Sequence, residues 1–168
     1  NTFITIGKNT ERKPVFLRKG IDLILEVAKK MPECSFLIIG MDDKTKMPVA
    51  PSNVRYIEFV SQDILAELLN ETRFYLQLSI AEGFPNALCE AMLCECVPIG
   101  SNVAGIPKII GNTDLLLKKR DVAQLEKLLK KALTLDLDTL GKVAQNRIIH
   151  EFSLEKRKYA FYKLIDSL

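Results

Sequence analysis

Two glutamates, Glu82 and Glu90, flank a Gly83-Phe84-Pro85-Asn86 turn near the middle of the chain. The apolar run Phe74 to Leu78 before them reads as a buried strand. A helix is expected from about Ala87, then a short strand over Val97–Ile99. This spacing puts Glu82 in the turn and Glu90 about one turn into the helix, so two carboxylates and a helix N-terminus meet. A helix N-terminus offers unpaired N–H groups and a positive dipole end, which suits a phosphate. Carboxylates accept paired hydrogen bonds from vicinal hydroxyls, as an acidic residue does from ribose in dinucleotide-binding folds. A phosphate flanked by two polyols is the chemistry of a nucleotide sugar. Spacing alone is weak evidence, because chance gives about two or three acid pairs at any chosen interval in such a chain. The strand end, the turn and the helix start around this pair give it weight.

The elements that must hold these groups alternate along the chain. Strands are expected at Thr2–Gly7, Ser35–Gly40, Asn53–Val60, Arg73–Leu78, Val97–Ile99 and Leu115–Leu117, from their apolar and β-branched runs. A helix opens at Lys19-Gly20, buries Ile21, Ile24, Leu25, Val27 and Ala28, and stops at Pro32. Ser61 caps a second helix, with Ile64, Leu65, Leu68 and Leu69 as its buried stripe. Asp121 caps another, with Gln124 completing a capping box and Leu125, Leu128, Leu129, Ala132 and Leu133 facing the core. Two helices follow, over about Thr139–Phe152 and Leu154–Leu168, with Ser153 as the cap between them. Lys8 to Arg18 reads as a polar, basic loop. Met41 to Ser52 reads as the most mobile loop, and Asn102–Gly111 as a loop with a short helical turn. Alternating strands and helices with short connections predict one α/β domain, 1–168, built on a doubly wound, Rossmann-like parallel sheet. Ligands of such sheets sit beyond the carboxyl ends of the strands. Gly7-Lys8, Gly40-Met41, Phe59-Val60 and Ser79–Asn86 all follow strands and so share that edge.

Composition narrows the function further. The chain has 168 residues, is 48% hydrophobic and carries a net charge of +3, too little to argue for nucleic acid. From Lys118 onward there are 12 basic and 7 acidic residues. Solvated helix faces explain that surplus better than a membrane or partner patch. No apolar run approaches the ~20 residues of a membrane span. No signal peptide is seen, and the abrupt start at a strand leads us to expect an upstream part. Cys34, Cys89, Cys94 and Cys96 lack paired metal-ligand spacing, and His150 is the sole histidine. No metal is therefore expected, and the cysteines read as ordinary thiols of a reducing compartment.

Several motifs together resemble the C-terminal, nucleotide-sugar-binding half of a GT-B glycosyltransferase of the retaining family 4. They are Gly7-Lys8 after the first strand, Lys19-Gly20 at the next helix, and Glu82 to Glu90 as an E-x7-E motif. Pro98–Asn102 and Gly105-Ile-Pro107 add two more. The resemblance covers nearly the whole chain. It implies transfer of a sugar from a nucleoside-diphosphate sugar, with Lys8, Lys19 and Glu82 as the catalytic set. Lys8 and Lys19 would neutralise the diphosphate as its charge grows. Glu82 would hold the donor sugar, and Glu90 the ribose diol. The backbone of Asn86, Ala87 and Leu88 would bind phosphate or sugar oxygens, with Gly7, Gly83 and Phe84 completing the donor site and Phe59-Val60 lying beside the base. No cofactor or metal is implied. The acceptor site would lie in an N-terminal domain absent from this chain.

The setting the resemblance implies is surface-polysaccharide synthesis in the cytoplasm, with peripheral contact at the inner face of the membrane as an option. For the aromatics beside Lys156-Arg-Lys158 (Tyr159, Phe161 and Tyr162), core packing or contact with the absent domain is preferred over a membrane. The chain departs from the family pattern at Glu95-Cys-Val-Pro98, at Lys108 and at Asp114, none of which touches the glutamate pair. Its insertion Asn9–Leu17 is long enough to move Lys19. The alternatives are a nucleotide-sugar epimerase of the same architecture and a non-enzymatic, flavodoxin-like nucleotide-binding module.

Overall fold

The computed structural model describes residues 1–165, apart from the side chains of Arg157, Ala160 and Leu164. Among these residues six strands form one wholly parallel sheet: β1 (Thr2–Ile6), β2 (Ser35–Met41), β3 (Val54–Glu58), β4 (Phe74–Gln77), β5 (Val97–Ser101) and β6 (Leu116–Leu117). Their order is β3-β2-β1-β4-β5-β6. The chain thus starts in the middle, winds outward, then crosses back to wind out the other way, as expected of a doubly wound sheet. The helices are α1 (Lys13–Arg18), α2 (Ile21–Lys30), α3 (Gln62–Asn70), α4 (Asn86–Leu93), α5 (Ile106–Ile110), α6 (Val122–Ala132), α7 (Leu137–Glu151) and α8 (Leu154–Ile165).

Strand residues alternate between two cores. Phe3, Phe36, Ile38, Phe74 and Leu76 pack with Ile21 and Ile24 of α2 and with Leu125 and Leu129 of α6. Ile4, Ile39 and Tyr75 face the other way, onto Leu65, Leu88, Ile106 and Ile148 from α3, α4, α5 and α7. Because helices cover both faces, both sets of alternate positions are apolar, and the strands read as continuous apolar runs. Register aligns Phe3 with Phe36 and with Phe74. Their rings stack at 5.2 and 4.6 Å between centroids.

Four expectations are corrected. The second half of the expected loop Lys8 to Arg18 folds as α1. Pro14 sits in its first turn, where a missing N–H breaks no helical bond, and Phe16 anchors the helix against the core. In α3, Leu65 and Leu69, four residues apart, form the buried line, and Ile64, rotated about 100° from Leu65 around the helix, is 48% exposed. Helix α7 begins at Leu137, ahead of Thr139, because Asp136 caps it by accepting from the Thr139 N–H at 3.2 Å. Finally, Tyr159, Phe161 and Tyr162 of α8 are exposed and form no part of the core. They follow the break at Phe152, where the chain leaves the packed body. The last three residues of the expected Leu154–Leu168 helix lie outside the described residues. No helix among the described residues is long and apolar enough to cross a membrane.

All four cysteines are free thiols, with Cys34 and Cys96 buried. Cys96 Sγ donates to the carbonyls of Leu69 (3.3 Å) and Thr72 (3.2 Å). Burial pushes its pKa from 9.0 up to about 12, and that of Cys89 to about 11. Since the folded value lies above the unfolded one, this stability is intact below pH 9 and is lost as pH rises toward 12. Urea unfolding should therefore show Cys96 alone removing about 2 kcal/mol between pH 8.5 and 10.5. A Cys96→Ala variant should lose that share of the slope and keep the share contributed by Cys89. A slope equal to wild type's would contradict the assignment.

Candidate active site

The parallel sheet brings every strand's carboxyl end to one edge, and the winding reverses between β1 and β4. Pairing between these two strands ends at Ile4↔Tyr75. Beyond it side chains take over: Thr5 Oγ1 donates to the Leu76 carbonyl at 2.9 Å. In the loop after β1, Gly7 is buried and Lys8 is exposed, with no ion pair for Lys8 among the described residues. Asn9 turns the chain with φ 58° and donates its N–H to Gly40 O at 3.1 Å.

Helix α1 then carries the chain back to the site. Its end is stitched to the segment that follows β4, because the Ile80 N–H donates to Arg18 O at 2.9 Å. The next glycine, Gly20, caps α2 with φ 75° and lies against the backbone of Leu78. The residue between, Lys19, is thereby aimed at the turn after β4. Its Nζ donates to Glu82 Oε2 at 2.6 Å, and each side chain is 17% exposed. Ser79 Oγ donates to the same oxygen at 3.2 Å. Among the described residues Glu82 Oε1 accepts no hydrogen bond. The segment Asn9–Leu17 thus delivers Lys19 to the site, because its second half folds as part of α1.

Helix α4 starts at Asn86 with Pro85 at its cap, no side-chain cap and no acid in its first turn. The Leu88 N–H, expected to bind a ligand, instead donates to Pro85 O at 3.1 Å in a tightened first turn, so among the described residues only the N–H groups of Asn86 and Ala87 remain without an acceptor. Asn86 is exposed, Ala87 half-buried and Leu88 buried. Glu90 is half-buried and has no side-chain partner among the described residues. Both glutamates lie near the buried Tyr75 hydroxyl. Burial raises the pKa of that group most, and the charges of Glu90 and Glu82 raise it further. The two carboxylates therefore both lie within electrostatic reach of one buried group. Gly83 is exposed, and its carbonyl abuts Gly105. Phe84 is 52% exposed, its ring 5.7 Å from that of Phe152. Farther along the edge, at the end of β3, Phe59 is 69% exposed and Val60 half-buried.

A groove of about 890 Å³ opens beside the start of α4, lined by Phe84, Asn86, Lys108, Arg147, Phe152 and Tyr159 among others. Arg147 is held there by the carbonyls of Ile109 (2.8 Å) and Lys108 (2.7 Å). Another cavity, of about 730 Å³, lies between Asn112–Leu115 and Leu140. It includes none of the residues named for the site. Sequence reasoning assigned no role to Tyr75, Gln77, Ser79 and Ser101. The available signal was a set of polar groups inside or beside otherwise apolar strands.

The family model for glycosyl transferases group 1 matches residues 14–148. The chain belongs to that family. It is similar to the serotype-specific mannosyltransferase WbdA of Escherichia coli, 32% identical over 83 residues, 49% of this chain and 10% of that protein. It is also similar to the alpha-galactosylglucosyldiacylglycerol synthase of Streptococcus pneumoniae, 32% identical over 106 residues, 56% of this chain and 27% of that protein. Among solved structures, the sucrose-phosphate synthase of Thermosynechococcus elongatus superposes with a TM-score of 0.80 at 19% identity. That match covers 99% of this chain and 46% of that one. The chain therefore spans less than half the length of each of these relatives, and its fold is the Rossmann-like one of GT-B glycosyltransferases.

Proposed function

We propose that this chain is the donor-binding part of a glycosyltransferase that uses a nucleoside-diphosphate sugar and retains configuration at the anomeric carbon. The observation that carries the reading is the Lys19–Glu82 pair at 2.6 Å, set beside the uncapped start of α4 at the carboxyl edge. Lys19, Lys8 and the α4 amides supply positive charge for the departing diphosphate without a metal. Glu82 has one oxygen fixed by Lys19 and Ser79, so its other oxygen accepts from hydroxyls of the donor sugar. Glu90, without a side-chain partner among the described residues, accepts from the ribose diol. Phe59 and Val60 flank the base. The acceptor site belongs to a further, N-terminal domain of the same protein, a reading supported by the share of its relatives that the chain spans. The exposed aromatic face of α8 suits contact with that domain. The cellular role is synthesis of a surface polysaccharide or glycolipid on the cytoplasmic side of a membrane. No specific observation favours an epimerase or a non-enzymatic module.

Calorimetric titration of this chain with UDP, GDP and ADP, and with a sugar-bearing form of whichever binds, tests the site. Glu90→Ala should weaken nucleotide binding at least about tenfold, the worth of hydrogen bonds to a charged acceptor. Glu82→Ala should leave nucleotide affinity nearly normal and erase the preference for the sugar-bearing form. Unchanged nucleotide binding in the Glu90 variant would refute the ribose role.

A further inference from the structure

One of the two hydrogen bonds on Glu82 Oε2 is the last link of a chain that begins in the core. Tyr75 donates its hydroxyl proton to Gln77 Oε1 at 3.3 Å. Gln77 Nε2 donates to Ser79 Oγ at 2.8 Å, and Ser79 Oγ donates to Glu82 Oε2 at 3.2 Å. Residues 75, 77 and 79 alternate along β4 and its extension, so one face of the strand carries all three. None is more than 3% exposed. Each group therefore depends on its neighbour, because a buried polar group without a partner is strongly disfavoured.

The chain has a direction. The Tyr75 hydroxyl has a single proton, and Gln77 Oε1 is the acceptor it meets. An amide that accepts at its oxygen end presents its N–H end to Ser79. With its lone pair so occupied, the Ser79 hydroxyl gives its proton to Glu82. Ser101 Oγ holds the backbone in place by donating to Gln77 O at 3.3 Å and to Ser79 O. Were the Gln77 amide turned end for end, Ser79 would donate inward and face Glu82 with lone pairs. The orientation of one buried amide thus decides whether Ser79 attracts or repels the carboxylate.

We propose that Tyr75 and Gln77 are positioning residues for the donor sugar. Through Ser79 they pin Glu82 Oε2 and leave Oε1 as the oxygen that meets the sugar's hydroxyls. This rests on the reading of Glu82 given above. Tyr75→Phe removes the proton that orients the amide. Gln77→Glu keeps its shape but, when ionised, cannot donate to Ser79. Both nearly conserve volume.

Two measurements test the proposal. The first needs no ligand. Tyr75 and Ser79 share no hydrogen bond, so without the chain Tyr75→Phe and Ser79→Ala should destabilise independently. With it, the unfolding constant of the double variant should fall about tenfold short of the product of the single effects. Additivity within about twofold would overturn the coupling. The second titrates this chain and its variants with a nucleoside diphosphate and with the corresponding nucleotide sugar. Tyr75→Phe and Gln77→Glu should each weaken the nucleotide sugar about tenfold and leave the bare nucleotide within about twofold. Equal loss of both ligands, or loss of neither, overturns the positioning role. If wild type binds the nucleotide but gains nothing from the sugar, the assignment of Glu82 fails, while the unfolding cycle still reports whether the buried chain exists.

Discussion

Replacing Gly20 by alanine should destabilise the protein by about 3 kcal/mol, lowering its melting temperature by about 6–12 °C. Two costs combine. At φ 75° a residue with a side chain pays left-handed strain of about 1–2 kcal/mol. A Cβ at that position would also overlap the Leu78 carbonyl oxygen and lie 2.9 Å from Leu78 Cβ. Backbone cannot swing aside as a flexible side chain can, so α2 and β4 must separate. Lys19 lies on one side of that contact and Ser79 on the other, so the separation also loosens the Lys19–Glu82 pair. Urea or thermal unfolding checks the stability. A melting temperature within a degree or so of wild type would contradict the packing described.

Lys19→Ala should lower affinity for a nucleoside diphosphate about a hundredfold. The ammonium serves two anions: the glutamate it bonds, and the diphosphate proposed to lie beside it. Removing it deletes a charge-assisted hydrogen bond and leaves a largely buried carboxylate facing the incoming phosphates. The second effect predicts a diagnostic partner. In the double variant Lys19→Ala, Glu82→Ala, nucleotide affinity should recover in part, because the repelling charge has gone. Titration at two salt concentrations should show a shallower salt dependence for Lys19→Ala than for wild type. Affinity within about threefold of wild type would remove Lys19 from the phosphate site.

Much of this was legible in the sequence because it rests on local patterns. Continuous apolar runs such as Ser35–Gly40 announced strands covered on both faces, and Ser61 and Asp121 announced helix starts. The Glu82–Glu90 stretch could be placed because a strand end, a turn and a helix start adjoin there. What stayed hidden depends on partners distant in the chain. Nothing local says that Lys19 and Glu82, 63 residues apart, meet at 2.6 Å. Gln77 sits unremarked within the apolar run Phe74 to Leu78, and its meaning lies in Tyr75 and Ser79 along the same face. The helical half of Lys8 to Arg18 was obscured by its polar composition, although Pro14 suits a first turn. The left-handed turn after α4 falls on Glu95, φ 60°, where no glycine marks it.

The contact between Gly105 and Gly83 bears on any attempt to redirect which sugar is used. A side chain at 105 would collide with the Gly83 carbonyl, displacing the very loop that carries Glu82. Mutational libraries should therefore leave Gly105 invariant and diversify instead the exposed rim, Phe59, Phe84 and Lys108, where new shapes can be sampled without disturbing the frame.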